Sequence, residues 1–390
     1  MATEQQTQRN YIALAEQLAP VIKQNSSRIN SERQIPSDIA EDLADQGFFR
    51  LLLPKSLGGA ELEHSKFLDI LEIIAESDTS TAWCLNQNNV WSTSATRMPE
   101  ATATEIWKDQ RAVVTNGPPS STCKATPTKD GHILNGRWNF SSGCTHATWI
   151  AALSPIANAD GSGLVSTDRK DMKIFLLPKG QVEFVDTWDA QGMRGTSSFG
   201  FELTDMFVPL NHTYDQDDAE PWHNGPHYII PRTLLFAAGF STVALATAKA
   251  SLNIAVDFAS AGQSGRKQTL MREQSTVQRS IGEARAIYSA SRAYLRESMS
   301  TVWDSACSRG SLTLEERINL RLATTYAIRT AASVVDVCYN LCGSGAIFAS
   351  NPIQRRFQDI HVITQHLQAH PTNYESAGQF FLGYEPEGNF

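Results

Sequence analysis

Within "QDIHVITQHLQAHP", residues 358 to 371, stand His361, His366 and His370, three of only nine histidines in the chain. An imidazole can ligate a metal, move a proton near neutral pH, or simply occupy a polar position on a helix. On a helix His366 and His370 share a face at i, i+4, whereas His361 lies five residues back, about 140° round from His366. The three cannot all point one way. An HxxxH pair can hold zinc, but the metalloprotease form needs Glu where Leu367 stands, and no third ligand is apparent. The six cysteines (84, 123, 144, 307, 338, 342) are scattered without a CxxC, so neither a thiolate zinc site nor a disulfide framework is supported. Cys338 and Cys342, one turn apart in an apolar stripe, read as buried thiols. No metal is expected. For His366 and His361 two readings stay open: acid–base chemistry, or a solvated helix end before the breaker His370–Pro371.

The elements that must position these groups follow from composition and pattern. A chain of 390 residues suits two or three packed substructures, and 41% apolar with 19% charged residues is the balance of a globular protein. The net charge of −8 gives no argument for nucleic acid or an anionic membrane surface. The N-terminus "MATEQQTQRNYIALAEQLAP" lacks the apolar core of a signal peptide, and no run of 18 apolar residues marks a membrane span. A cytoplasmic protein without nucleic acid or membrane partners is expected.

Residues 1–110 read as helices: Phe67, Ile70, Leu71 and Ile74 follow the spacing of one buried face, and "IPSDIAEDLADQGFFRLLLPKSLGG" shows a helix start, a stop near Gly47 and a Pro/Gly loop. Residues 111–215 shift toward period two in "AVVTN", "HILNGRWNFSS", "ATWIAALSPI", "KIFLLP", "VEFVDTW" and "FGFELTDMFVP". Helical pattern returns over 216–390. There Thr313 to Glu316 has the form of a capping box, ahead of a stripe Leu320, Ala323, Ala327, Ala331, Val334, Cys338, Leu341 suited to close helix packing.

Four segments, "LLLPKSLGGAELE", "GRWNFSSG", "WDAQGMRGTSSFGFELTDMFVP" and "CGSGAIFASNPIQRRFQDI", in this order and spacing resemble the acyl-CoA dehydrogenase superfamily over most of the chain. The resemblance implies a mainly α fold with a middle β domain: N-terminal helices, a β-barrel or sandwich, and a C-terminal four-helix bundle. It also implies flavin between the last two domains and a homotetramer built on the bundle. By the same resemblance Ser142 lies near flavin N5, with Trp138, Asn139, Phe140, Ser141 and Gly143 walling the ring. Gly192, Arg194, Gly195, Thr196 and Ser197 become donors to cofactor or substrate. The plain alternatives are a strand end for the first set and a turn with a solvated Arg for the second.

Dehydrogenases of this superfamily need a carboxylate to take the substrate's α-proton. It usually lies eight residues after the Asp of an "RD" pair. Here the pair is Gln358–Asp359, and eight further is Leu367. The other carboxylate position, just before an Arg at the start of the bundle, matches Pro231 before Arg232. Neither can act as a base, and Leu367 also argues against the nitroalkane oxidases, which use an Asp.

With His366 beside the missing acid, the chain resembles the two-component flavin-dependent monooxygenases of this fold, such as the oxygenase components of p-hydroxyphenylacetate hydroxylase, dibenzothiophene monooxygenase and indole-3-acetate monooxygenase. These take reduced FMN or FAD from a separate NAD(P)H:flavin reductase, form a C4a-hydroperoxide with O2, and oxygenate a small aromatic or heteroaromatic substrate. The absence of GxGxxG agrees with a chain that binds no NAD(P)H. The expected roles are acid–base catalysis for His366, flavin positioning for Ser142, and substrate contacts for Trp91, Asn88, Asn116 and His361. Trp83 is a further candidate on the same helix. The loop "TNGPPSSTC" supplies Asn116 and Ser121 but no second histidine. Two rivals remain: a dehydrogenase-like flavoenzyme with a relocated base, and a non-catalytic helical scaffold.

Overall fold

Helical periodicity in the first 110 residues resolves into five helices in the computed structural model, which describes residues 9–158, 163–215, 220–262, 270–388 and 390. α1 (Tyr11–Glu32) is capped by Asn10, whose side chain accepts from the Ala13 amide. α2 (Ser37–Asp45) starts after Pro36 and ends just before Gly47. α3 (His64–Ser77) buries Phe67, Ile70, Leu71 and Ile74, the face its spacing predicts. α4 (Thr79–Ser92) is capped by Asp78, and α5 (Glu100–Trp107) completes the set.

Eight strands follow, in two four-stranded sheets. The first sheet takes β1 (Val114–Gly117), β4 (Trp149–Ser154), β5 (Lys173–Pro178) and β8 (Thr213–Asp215), in that order; β1 and β4 are parallel. The second takes β2 (Lys124–Pro127), β3 (Gly131–Ser141), β7 (Phe199–Pro209) and β6 (Glu183–Val185), all antiparallel. Trp138, Phe175, Phe201, Ile150 and Leu177 fill the space between them. β2 and β8 are additions to the sequence reading: each is too short to show an alternation. Near its end β3 loses register with β7 between Trp138 and Ser141, and there Phe140 adopts φ +55°. Such a bulge re-aims side chains at a sheet edge.

The C-terminal half contains α6 (Pro226–Ile229), then α7 (Arg232–Ala261), α8 (Ser275–Arg309), α9 (Leu314–Leu341) and α10 (Pro352–Ile363), which pack as a bundle, and α11 (Thr372–Phe381) against α9. The capping box forms: Thr313 Oγ1 accepts from the Glu316 amide at 3.2 Å, and Glu316 Oε2 from the Thr313 amide at 2.8 Å. The small-residue stripe of α9 is buried from Leu320 to Cys338, and Cys338 and Cys342 lie in the core. α7 is long and apolar enough to cross a membrane by composition, yet 83% of its apolar window is buried inside the protein, the setting of a core helix.

Every residue of α4 is buried, among them the consecutive amides Asn86, Gln87, Asn88 and Asn89. Buried amides are tolerable only when partnered, and together these four tie α4 to three neighbours. Asn86 Nδ2 donates to Phe236 O on α7 at 3.2 Å, Gln87 Nε2 to Asn116 Oδ1 in β1 at 2.6 Å, and Asn88 Nδ2 to Val114 O at 3.1 Å. Asn89 accepts from the Leu51 amide at 2.7 Å and donates to Phe48 O at 2.8 Å. Gly239 makes the α4–α7 approach possible, since a Cβ there would sit 1.9 Å from Asn86 Oδ1.

Beside α7, His64 is buried against His227 of α6 and Trp303 of α8, with ring centroids 6.1 and 6.5 Å from His64. Among the described residues the four imidazole nitrogens have no hydrogen-bond partner of ordinary geometry. Burial, reinforced by the neighbouring His227 and Arg296, holds His64 well below its ordinary pKa. Burial likewise takes His227 down to about 4, with Glu61 and the Leu62 backbone offsetting part of it.

Asn89→Ala leaves the Leu51 amide and Phe48 carbonyl unpaired in the core, an expected loss of about 1–3 kcal/mol, read as a lower urea midpoint. A second outcome concerns pH. His227 titrates lower folded than unfolded, so its contribution to stability is complete above pH ~6.5 and is lost as pH falls toward about 4, by up to ~3 kcal/mol. His227→Leu is expected to flatten that acid limb of the urea midpoint against pH.

Candidate functional site

A cavity of about 960 Å³ lies where α4, the β3 end, the β6–β7 loop, α7 and the chain after α10 meet. Its walls differ in chemistry. One is a row of hydroxyls. Trp83 Nε1 donates to Ser142 Oγ at 3.3 Å, Ser142 and Ser198 lie 2.7 Å apart, as do Ser198 and Thr196, and Thr196 Oγ1 donates to Met193 O at 2.8 Å. Because Thr196 spends its proton on that carbonyl, Ser198 donates to Thr196 and Ser142 donates to Ser198. Ser142 therefore offers a lone pair, not a proton, to anything further it meets.

The hydroxyl row is held from behind. The carboxylate of Asp359 on α10 accepts the Met193 amide at 2.5 Å, while Met193 and Ser197 both take left-handed backbone, with φ +53° and +43°. Burial pushes Asp359 up to about 6, and the Met193 N–H pulls against it. Gly192 lets the loop reach α10, since a Cβ there would meet the Gln358 carbonyl at 2.4 Å.

A second wall is aromatic. Trp83 stacks on Phe240 at 3.7 Å, Phe240 on Phe236 at 5.8 Å, and Trp91 meets Phe236 at 6.5 Å. His366 stands with its ring near-perpendicular to Trp83 and Phe240, at 5.2 and 5.0 Å. Its Nδ1 accepts from the Gln368 amide at 3.3 Å, which leaves the proton of the neutral ring on Nε2. Burial first, then the Arg321 guanidinium, depress its pKa to about 4. Arg321 is itself buried, bound to Gln368 and Thr233, and burial lowers it to about 10.

The histidines do not share a helix. α10 stops at Ile363, and His366 and His370 flank a 3-10 turn, His366 with extended backbone whose side chain caps that turn. The i, i+4 face expected for them is absent because the cap diverts the chain. His370 is exposed and bound to Thr372, and His361 pairs with Asp336 at 2.9 Å while its residue borders the cavity.

The cavity gathers Ser142, Phe140, Thr196, Trp91, Asn116, His361 and His366 from the sequence reading. Asn116 Oδ1 accepts from Trp91 Nε1 at 2.6 Å, and Phe140, 61% exposed, faces Trp188. Other expected residues stand elsewhere. Trp138 is in the sheet core, stacked on Phe201, because strand alternation turns it inward. Ser141 is buried behind Gly117, Ser197 bonds Thr145, and Gly143 packs under His146 and Asn88. Asn88 bonds His146 and β1 rather than facing the cavity. Arg194 reaches outward to Asp189, Ala190 and the Asn30 carbonyl of α1. Ser121 is in an exposed turn. Sequence reasoning missed Ser198, Trp188, Phe236 and Phe240; the last two were findable, one turn apart on α7 beginning at Arg232.

The donor set fits a flavin: an enclosed volume, a hydroxyl and backbone edge for a flat polar ring, and aromatic faces with Phe140 and Trp188 at the rim. Among the described residues no Asp or Glu lines the cavity.

Comparison with known proteins agrees with this architecture. The chain is 26% identical to indole-3-acetate monooxygenase of Acinetobacter baumannii over 374 residues, covering 93% of this chain and 91% of the relative. It is 24% identical to the oxygenase subunit HsaA, a flavin-dependent monooxygenase of Mycobacterium tuberculosis, over 399 residues and 98% of both chains. It shares its fold with XiaF from Streptomyces sp., solved with FADH2 and glycerol, at a TM-score of 0.90 and 21% identity over 97% of this chain and 96% of that one. Family models for the acyl-CoA dehydrogenase N-terminal domain match residues 3–98, and for the C-terminal domain residues 238–371. With helices, sheets and bundle in the order that family requires, the chain belongs to the acyl-CoA dehydrogenase superfamily.

Proposed function

We propose that the chain is the oxygenase component of a two-component flavin-dependent monooxygenase acting on small aromatic or heteroaromatic compounds. One observation carries the reading: among the described residues no Asp or Glu side chain lines the cavity, and a neutral imidazole stands at its aromatic end. A dehydrogenase of this fold needs an anionic base, and a relocated one would still have to line the cavity. The relatives' activities support the same side.

Reduced flavin, when bound, supplies the electrons and the site of oxygen activation. Ser142, Thr196, Ser198 and the loop around Met193 would hold it, with Phe140 and Trp188 at its edge. The direction of the hydroxyl row matters here. A reduced flavin carries a proton on N5 and donates, whereas an oxidised flavin accepts there. Ser142, its own proton spent on Ser198, suits the reduced form. His366 keeps a proton at Nε2 and offers it as a hydrogen bond toward the slot walled by the rings of Trp83, Phe236 and Phe240. Of the acid–base role expected for this residue, the hydrogen bond to Nδ1 favours the donor's half. A separate NAD(P)H:flavin reductase supplies the cofactor, and the free thiols of all six cysteines suit the cytoplasm. The exposed Ile347, Phe348, Phe381, Leu382 and Tyr384 are candidates for contacts in a homotetramer.

The protein supplied anaerobically with reduced FMN or FAD, then with ¹⁸O2, is expected to place one labelled oxygen in an indole or phenol; labelled product no greater than from free reduced flavin would refute the assignment. His366→Ala is expected to cost about 10²- to 10⁴-fold in kcat, and His366→Gln to recover part of it through its amide donor; equal loss in both would speak for a base instead. Ser198→Ala returns the Ser142 proton to the cavity, so the preference for reduced over oxidised flavin, measured by equilibrium binding, is expected to narrow. Light scattering is expected to give four times the 42.9 kDa chain.

A further inference from the structure

We infer that one face of α9, carrying Arg321, Thr325 and Arg329, positions His366: acting through the turn Leu367–Ala369, it fixes which imidazole nitrogen carries the proton and keeps the ring uncharged. The catalytic role of that ring rests on the oxygenase reading, whereas its tautomer and charge do not.

The three residues recur every four positions, so they line one side of the helix over roughly 12 Å. Each holds a different group of the turn. The Arg321 guanidinium donates through Nη1 to Gln368 Oε1, Thr325 Oγ1 donates to the Gln368 carbonyl at 3.0 Å, and Arg329 Nε donates to the Ala369 carbonyl at 2.9 Å. α7 closes the arrangement from the other side: Thr233 Oγ1 accepts from Arg321 Nη2 at 2.9 Å, and the Thr233 carbonyl accepts from Gln368 Nε2 at 3.3 Å. Gln368 is therefore held by both its backbone and its side chain, and its own N–H is the donor to His366 Nδ1. A displaced turn would release that nitrogen.

Packing does not account for Arg321. It is 2% exposed, and a buried cation is costly where an apolar side chain would fill the same space. Gln368 and Thr233 bind it without carrying charge, so neither cancels its field. Burial, and then that field, hold His366 down to about 4. The other charged or titratable groups nearby are turned to partners of their own: His361 to Asp336 of α9, Asp359 to the Met193 amide, His370 to Thr372, Arg317 to the Phe390 carbonyl and Arg232 to Ser94. α4 and α7 face the ring with Trp83 and Phe240, which carry no charge.

The test is ¹⁵N NMR of the full chain with labelled histidine and no flavin, the His366 signals being identified by their loss in His366→Gln. In the natural chain the ring is expected as the Nε2–H tautomer, titrating well below the ordinary ~6.5. Arg321→Met removes the cation and Gln368→Glu sets a carboxylate against it, so each is expected to raise the midpoint by about one pH unit. Arg321→Lys is expected to hold it near the natural value. Thr325→Val removes a tether and no charge, and is expected to populate the second tautomer with the midpoint unmoved. The acid limb of oxygenation against pH is expected to climb with the midpoint, because protonating Nδ1 breaks its bond from Gln368. An Nδ1–H tautomer or an ordinary midpoint in the natural chain, or a midpoint that Arg321→Met and Gln368→Glu leave in place, would overturn the inference. The first two readings need no variant, and so decide even where one fails to fold. A moved midpoint with no oxygenated product from the natural chain would sink the oxygenase reading and leave this one standing; product with an unmoved midpoint would do the reverse.

Discussion

Complete burial of α4 is the constraint on which the architecture rests. A helix enclosed on every side cannot be held by an apolar stripe alone, and its four consecutive amides must each find a partner. They find them on α7, on β1 and on the loop after α2. Directional bonds of this kind fix relative position as well as proximity, so α4 pins the N-terminal helices to β1 and to α7. Gly239 shows how close the tolerance is. Because Trp83 and Trp91 extend from the same helix, the pin also sets the aromatic wall of the cavity.

The chemistry of that cavity follows from what its walls lack. Enclosed aromatic surface makes any charge costly, and the imidazole of His366 responds by staying neutral well below its ordinary range. A carboxylate in its place would either have been neutralised or have needed a cationic partner. Of the cations, Arg232 stands at the start of α7, and Arg321, bound to Gln368 and Thr233, is close enough to help keep His366 neutral.

Much of this was legible in the sequence for definite reasons. Long segments with one period, such as the stripe of α9 or the Phe67–Ile74 face, declare themselves because burial imposes the period. The capping box of Thr313 and Glu316 did so because the signal is local. What failed was directional. "RWNFSSG" has the right residues, but strand alternation sends Trp138 inward, and the bulge at Phe140 reverses which neighbours face the cavity. His366 and His370 looked like a helical pair because nothing local announces that an imidazole will cap its own turn. Ser198 lies two residues after Thr196, and its role appears only when the loop folds onto Ser142.

The segment after α10 shows how a motif can divide. Asp359 remains, and its work is structural: it holds the Met193 amide and with it the loop that carries Thr196 and Ser198. The residue before it touches Gly192 through its backbone, so Gln358 in place of Arg leaves that contact intact. Leu367, eight positions on, is where the proton-abstracting acid would stand, and it is half exposed to the cavity rather than packed in the core. One half of the motif keeps a structural contact through Asp359, and the proposed chemistry rests on the other half. The histidine one residue earlier, fixed by the Gln368 amide, lines the cavity beside it.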